Sequence, residues 1–300
     1  MINDLWILAT AFLVAASCSM VGVFLILRRQ ALLGDAISHS VLLGIVLAYL
    51  LSGSRDLFVM LTGAVVIGLI TAWLSDTLHR FGRIQADASI GIIFTLFFAL
   101  GVILISLYAG QIDLDQECVL YGEIAFVPFD TVYFGGMENG VELGPRAFWT
   151  ILVVFAIVLI SILLTFQRLQ TVSFHPSLAA SLGINILFWH YFLMTLVSMT
   201  TVASFDAVGA ILVVALLVIP ASSAYLLAKS LKGMLWIAFT YSQFAVVIGY
   251  AVAYWLDSSI SASIAVAAGV LLAVTIVVQQ ISKLRRQSSF GTQLPTEKTP

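Results

Sequence analysis

The sequence predicts an all-α integral membrane protein, a polytopic helical bundle of about eight or nine spans. Three observations lead to this fold class. Hydrophobic residues make up 61% of the chain and charged residues only 9%, whereas charged residues make up about 25% of a typical soluble domain. The mean hydropathy is +1.11. The apolar residues also form long segments, each with the length that a helix needs to cross a bilayer.

Nine apolar segments have this length. A hydrocarbon core of about 30 Å requires about 20 helical residues. The segments are residues 5–27, 31–51, 57–78, 88–109, 147–167, 184–204, 207–228, 233–255 and 260–281. The two segments on either side of Asp206 are so close in sequence that they form either two spans or one interrupted unit.

The basic residues predict the orientation, because cytoplasmic loops of membrane proteins are enriched in lysine and arginine. With residue 1 outside, 11 of the 13 basic residues lie on the cytoplasmic side. These are Arg28, Arg29, Arg80, Arg83, Arg168, Lys229, Lys232, Lys283, Arg285, Arg286 and Lys298. We therefore predict that the N-terminus lies outside, the C-terminus is cytoplasmic, and the acidic loop 110–146 faces outward. Residues 1–282 form the membrane domain, and the polar residues 283–300 are predicted to be a disordered cytoplasmic tail.

Small residues recur at every fourth position in several segments, so they share one helix face. Such faces let helix backbones approach closely in a bilayer. The stripes are Ala36, Ser40, Gly44 and Ala48; Ala64, Gly68 and Ala72; Ala245, Gly249 and Ala253; and Ser261, Ala265, Gly269 and Ala273. We predict that these faces pack the helices into a compact bundle.

Asp35 and His39 stand near the start of the second segment, in a chain with only 4 histidines. Residues four apart lie on one helix face, so one ion can touch both side chains. Imidazole and carboxylate are suitable donors for manganese, iron or zinc, and ionisable groups within a span usually mark an ion path or a relay. This spacing favours a metal site. The alternative is structural: Asp35 stabilises the helix start, and His39 bonds a neighbouring helix.

Other polar features exclude some functions and leave others open. The chain has neither the G-x-x-x-x-G-K-[ST] phosphate loop nor the H-E-x-x-H metalloprotease motif. Its net charge of -2 gives no basis for nucleic-acid binding. Asp206, near the predicted outer end of its span, either lines a path or caps the helix, and the sequence assigns no role to His190.

The connection over residues 168–184 contains a predicted short helix. Pro176 suits a first helical turn, residues 177–182 form the helix, and Gly183 suits its end. On the cytoplasmic side, such a helix is either a docking element for another protein or an ordinary connecting turn.

Several stretches, taken in order, resemble the permease subunits of bacterial ABC importers for manganese, zinc or iron. They are LRRQALLGDAISHSVLLG (27–44), DASIGIIFTLFFALGVILIS (87–106), DLDQECVLYGEIAFVPFD (113–130), HPSLAASLGIN (175–185) and VASFDAVGAILVVALLVIPASSAYLL (202–227). The resemblance covers most of residues 5–282. It implies that residues 1–282 are a transmembrane permease domain, similar in fold to the permeases of metal-chelate-type ABC importers.

The resemblance also implies partners and roles for residues. Two permease subunits, identical or related, enclose the path, cytoplasmic ATP-binding subunits drive transport, and an extracytoplasmic metal-binding protein delivers the ion. Asp35 and His39 match the family's positions for transient metal coordination. Glu123 fits the family pattern, and Asp206 replaces an uncharged polar residue of some relatives; both are candidates for the path. The helix that couples to the ATPase corresponds to Pro176, Ser177, Ala179, Ala180, Leu182 and Gly183.

We therefore expect a transport subunit of the bacterial plasma membrane, not an enzyme, with no permanently bound cofactor and with ATP hydrolysis in a separate subunit. The expected cargo is a divalent transition metal. Manganese is favoured over zinc and iron, because the outer loop most resembles that of manganese-type members. The alternative is a proton-coupled secondary metal transporter, in which Asp35 and His39 relay protons.

Overall fold

The computed structural model describes residues 2–53, 57–108, 124–134 and 141–291. Within these residues the chain folds into ten α-helices, one 3₁₀ helix and two short strands. The α-helices are α1 (Ile2–Leu27), α2 (Ala31–Ser52), α3 (Leu57–Gly82), α4 (Ala86–Tyr108), α5 (Arg146–Phe174), α6 (Pro176–Ser181), α7 (Ile186–Val208), α8 (Ala210–Leu227), α9 (Leu231–Leu256) and α10 (Ile260–Gly291). All of them except α6 are predicted spans, so the all-α polytopic fold is confirmed.

Nine of the described helices are long and apolar enough to cross a membrane, as predicted, and the largest departures from the predicted ends are in α5 and α10. The fifth span was predicted to end at residue 167, yet α5 continues to Phe174. Gln167, Arg168 and Gln170 lower the hydropathy there without lowering the helix propensity. In the same way α10 reaches Gly291 and so includes the first residues of the predicted tail, whereas residues 292–300 lie outside the described residues.

The connection between α4 and α5 contains the only non-helical regular structure within the described residues. A 3₁₀ helix, Ile124–Phe129, is followed by strand β1, Thr131–Phe134, and strand β2 is Val141–Pro145. The strands pair antiparallel, with Thr131 opposite Pro145 and Phe134 opposite Val141. This small hairpin lies directly before α5, and the backbone N–H of Arg146 donates to the carbonyl of Asp130 at 2.8 Å.

Helix α1 lies in the middle of the bundle and packs against α5, α7, α8 and α9. Its side chains Val14, Ala15, Cys18 and Val21 are fully buried. Helices α2, α3 and α4 pack on one another beside this core, and α3 also contacts α7. The end of the bundle at which α1 ends and α2 begins carries Arg28 and is termed the basic end below.

The small-residue faces bring α2 and α3 into backbone contact. A Cβ atom added at Gly44 would lie 2.6 Å from Ala64 Cα and 2.7 Å from the Gly63 carbonyl oxygen. A Cβ atom added at Gly249 would likewise clash with the backbone of Ile264 in α10. The predicted stripe of α10 packs only in part: Ser261 is buried and Ala265 packs against the core, but nothing lies within 4 Å of a Cβ added at Gly269. The two faces of α10 are both rich in alanine, so composition could not identify the packed one.

The short connection near Asp206 separates two helices. Gly209 is the one residue between α7 and α8, and its φ is +80°. Residues with a side chain rarely adopt this conformation, so glycine allows the chain to leave one helix and start the next at once. Asp206 consequently lies in the last turn of α7, not between two spans.

Candidate metal site

The side chains of Asp35 and His39 meet on one face of α2. His39 Nε2 lies 3.4 Å from Asp35 Oδ1, and the two side chains are 31% and 40% exposed, respectively. They lie one and two turns into the helix, counted from Ala31 at the basic end. The neighbouring Ala36 and Ser40 are buried, so the pair borders the packed face of α2 without being enclosed by it.

Two aromatic rings of α4 orient the His39 imidazole. The Phe94 ring stacks against it with centroids 5.7 Å apart, and the Phe98 ring approaches edge-on at 5.8 Å. The imidazole therefore has an apolar support on one side and the Asp35 carboxylate on another. The imidazole nitrogen and the carboxylate oxygen are close enough for one ion to contact both. They are a suitable partial donor set for a divalent transition metal.

Among the described residues, the donor set at this pair is incomplete. No group of three or more His, Cys, Asp or Glu side chains that could hold a metal occurs in the described part of the chain. A structural zinc site has four protein ligands and is closed, whereas a site with fewer protein ligands leaves positions for water or for another molecule. The described pair by itself therefore leaves coordination positions open.

A second histidine–carboxylate pair lies at the basic end and was not predicted. His190 of α7 has Nε2 2.8 Å from Asp76 Oδ2 of α3, and the side chains are only 14% and 21% exposed. No hydrogen bond joins the two atoms, so the contact is a close approach of an imidazole and a carboxylate. The sequence showed only that His190 lies near the start of a span, and nothing in the sequence around Asp76 indicated that the two residues meet.

Arg28 occupies the other side of His190. Its Nη1 lies 3.4 Å from His190 Nδ1, and its Nε donates to Ser173 Oγ at 3.2 Å. Burial lowers the pKa of Arg28 to about 10. The cluster of Arg28, Asp76, Ser173 and His190 joins three helices and the turn after α1. A guanidinium at this distance repels a divalent cation, so the cluster does not suit a metal.

The predicted coupling helix is present as α6, Pro176–Ser181. Ala179 is fully buried and anchors the helix to the bundle, whereas Pro176, Ser177, Ala180, Leu182 and Gly183 are exposed. Leu178, which the sequence analysis did not single out, is 50% exposed. The outer face of α6 is therefore apolar and open, and Ser173, the partner of Arg28, lies three residues before the helix.

Of the two other predicted path residues, the structure describes only Asp206, which lies away from the metal pair. Glu123 lies outside the described residues. Asp206 is exposed in the last turn of α7, at the end opposite to His190. Asp130 and Arg146 are its charged neighbours, so Asp206 belongs to the region around the hairpin.

Comparison with known proteins settles the family. Residues 4–279 match the family described as the ABC 3 transport family. The chain belongs to this family. It is 47% identical to the manganese transport system membrane protein MntD of Bacillus subtilis, over 90% of each chain. It is 41% identical to the zinc transport system membrane protein TroD of Treponema pallidum, over 88% of this chain and 71% of that protein.

A solved structure confirms that the fold is shared. The structure of PsaBC from Streptococcus pneumoniae in complex with Fab superposes with a TM-score of 0.75, at 33% identity, over 93% of this chain and 94% of that chain. With nine apolar helices in the part of the chain that the structure describes, this member of the ABC 3 family is a multi-pass membrane protein and a transport permease.

Proposed function

We propose that this chain is the permease subunit of an ATP-driven importer that moves a divalent transition metal into the cytoplasm. The observation that carries the proposal is the Asp35–His39 contact of 3.4 Å inside a span. Ions lose water in a bilayer and need replacement ligands there, because an uncompensated charge in an apolar medium is very costly. A carboxylate offsets the charge, and a neutral imidazole adds a donor that favours transition metals over alkali ions.

The incomplete donor set suits passage of the ion. Water or a second permease subunit, identical or related, completes the coordination at the partly exposed side of the pair. An ion held by few protein ligands leaves quickly, whereas a closed four-ligand cage retains it. An extracytoplasmic metal-binding protein delivers the ion at the end of the bundle that carries the hairpin, where Glu123 and Asp206 are candidates for its first contacts.

A separate cytoplasmic ATP-binding subunit supplies the energy. The support for this is α6, a short helix with one buried anchor, Ala179, and an exposed apolar face that includes Leu178 and Leu182. Its contact with the ATP-binding subunit buries that face. Movement of α6 is passed to the spans through Ser173 and its hydrogen bond to Arg28.

In the proposed orientation the basic end lies in the cytoplasm, because lysine and arginine are enriched in cytoplasmic loops. A membrane-impermeant thiol reagent added to intact cells tests it, in a background with Cys118 replaced by serine. Ser259→Cys, in the exposed turn between α9 and α10, is expected to react. Ser177→Cys on α6 is expected to react only after permeabilisation, and the reverse pattern refutes the orientation.

Manganese is the proposed cargo, with zinc and iron(II) as competitors. The support is the name of the relative that is 47% identical, while the zinc relative is 41% identical and the donor types accept all three ions. Competition among Mn, Zn and Fe for uptake by the assembled complex, followed by metal analysis, ranks them. Stronger uptake of zinc than of manganese overturns this part of the proposal alone.

The alternative is a proton-coupled carrier in which Asp35 and His39 relay protons. Uptake into proteoliposomes that contain the chain and its ATP-binding subunit separates the two functions. The proposal predicts uptake that needs ATP hydrolysis and persists after a protonophore is added. Uptake without ATP that the protonophore abolishes establishes the carrier instead.

A further inference from the structure

A deep cleft lies between α5 and α9, away from the Asp35–His39 pair. Its volume is about 1010 Å³. Its floor is Met20 of α1, and its apolar walls include Phe155, Leu159 and Ile162 of α5 and Trp236 and Phe239 of α9. Trp236 at the rim is 69% exposed. The cleft therefore opens to the surroundings of the bundle, which at this depth are lipid.

Two cations stand at the basic end of the cleft, and both are seated on aromatic rings. Arg168 Cζ lies 5.6 Å from the centroid of Trp189, and Lys232 Nζ lies 5.9 Å from that of Phe166. No carboxylate lines the cleft, and among the described residues neither cation is within ion-pair distance of one. Among the described residues, therefore, no carboxylate neutralises either cation, and the cleft can accept an anion from outside the chain.

The length of the cleft matches one leaflet of a bilayer. The wall on α5 extends from Phe155 to Arg168, which is about 20 Å along a helix with a rise of 1.5 Å per residue. Half of a bilayer, headgroups included, is about 20–22 Å thick. The cations thus lie at headgroup depth when the apolar walls lie at acyl-chain depth, and Trp236 has the exposed position that is typical of aromatic residues near the interface.

We propose that this cleft binds one anionic phospholipid of the leaflet at the basic end. The phosphodiester lies between Arg168, which can bind two phosphate oxygens side by side, and Lys232, which acts as a point charge. One acyl chain lies along α5 over Met20. Basic pockets between spans are known to select anionic headgroups, and here the charge and the apolar walls occur in one cleft. This inference is independent of the proposed cargo and energy source.

Charge complementarity favours this occupant over others. A helix of a second copy would leave both cations without a partner unless it brought carboxylates to the same depth. Free phosphate satisfies the cations but not the apolar walls, and a zwitterionic lipid brings its own cation into the headgroup site. Only an anionic lipid satisfies both ends of the cleft.

Native mass spectrometry of the full-length chain in detergent tests the proposal. The probes are phosphatidylglycerol, phosphatidylcholine with the same acyl chains, phosphatidylglycerol with six-carbon chains, and inorganic phosphate. The test variant is Arg168→Gln/Lys232→Gln. The matched control is Arg80→Gln/Arg83→Gln, which removes the same charge from exposed positions at the same end of the bundle.

The expected result is one tightly held long-chain phosphatidylglycerol in the wild type and in the control. Since one basic residue near an anionic lipid contributes a factor of about five in affinity, the test variant is expected to bind it about 30-fold more weakly. Phosphatidylcholine and the six-carbon lipid are expected to bind weakly. Equal retention of phosphatidylcholine, equal binding by the test variant, or full competition by inorganic phosphate each overturns the proposal.

Discussion

The chain contains two histidine–carboxylate pairs, and their surroundings give them different properties. Asp35 and His39 lie on one helix, partly exposed, and two phenyl rings pack beside the imidazole. Asp76 and His190 lie on different helices, mostly buried, and Arg28 is within 3.4 Å of the same imidazole. The first pair can accept a cation, whereas the second already has one.

Because the same two residue types occur in both pairs, residue type alone does not identify a metal site. Removing one partner of a buried charged cluster leaves an uncompensated charge, which costs more than the cluster contributes. The second pair is therefore expected to control stability, and the first pair is expected to control transport.

The largest expected effect is on transport. Asp35→Ala and His39→Ala are each expected to lower manganese uptake about 100-fold or more, because even an outer partner of a metal ligand contributes a factor of about 10–100. Both positions are partly exposed, so the amount of folded permease should not change. Initial rates of uptake, divided by the amount of permease in the membrane, measure the effect.

The matched controls are Asp87→Ala and His79→Ala, which remove the same side-chain types from exposed positions at the basic end. Both are expected to transport normally. If Asp35→Ala and His39→Ala do so as well, the pair is structural and the metal path lies elsewhere.

The next effect is on stability. Asp76→Ala is expected to destabilise the permease by about 3 kcal/mol, because Arg28 and His190 stay behind without the carboxylate. Adding Arg28→Met removes the buried cation and should restore part of the loss. Thermal unfolding of the two single variants and the double variant in detergent gives the coupling energy. Additive losses mean that the cluster does not act as one unit.

A third comparison uses two neighbouring alanines on α6, the helix that follows Ser173. Ala180→Arg, on the exposed face, is expected to weaken the response of the ATPase about tenfold, as for a central interface residue, while the permease stays folded. Ala179→Arg, at a fully buried position, should instead destabilise the permease. ATPase activity with and without the binding protein, together with thermal unfolding, separates the two. If the ATPase of Ala180→Arg still responds normally to the binding protein, α6 only connects two spans and does not contact the ATP-binding subunit.

The smallest effect is expected from a conservative change in the second pair. His190→Gln keeps a polar side chain near Arg28 and should alter uptake per folded molecule by no more than about twofold. His39→Gln replaces the imidazole donor with an amide and should fail like His39→Ala. Similar uptake by both glutamine variants removes the distinction between the two pairs.

The sequence predicts the parts of this structure that depend on residues close together along the chain. The ends of most spans follow from hydropathy, α6 follows from Pro176 and Gly183, and the Asp35–His39 contact follows from a spacing of four residues on a helix. The Arg28–His190 contact joins residues 162 positions apart, and no local pattern indicates such a pairing. The open cleft beside Arg168 likewise depends on how three helices pack.

Electron paramagnetic resonance of bound Mn²⁺ shows directly whether His39 or His190 binds the metal. The assembled complex is loaded with Mn²⁺, and the coupling between the metal and a directly bound imidazole nitrogen is measured. We expect this coupling in the wild type and in His190→Gln, and its loss in His39→Gln. A coupling that persists in His39→Gln and disappears in His190→Gln would contradict the assignment of the two pairs.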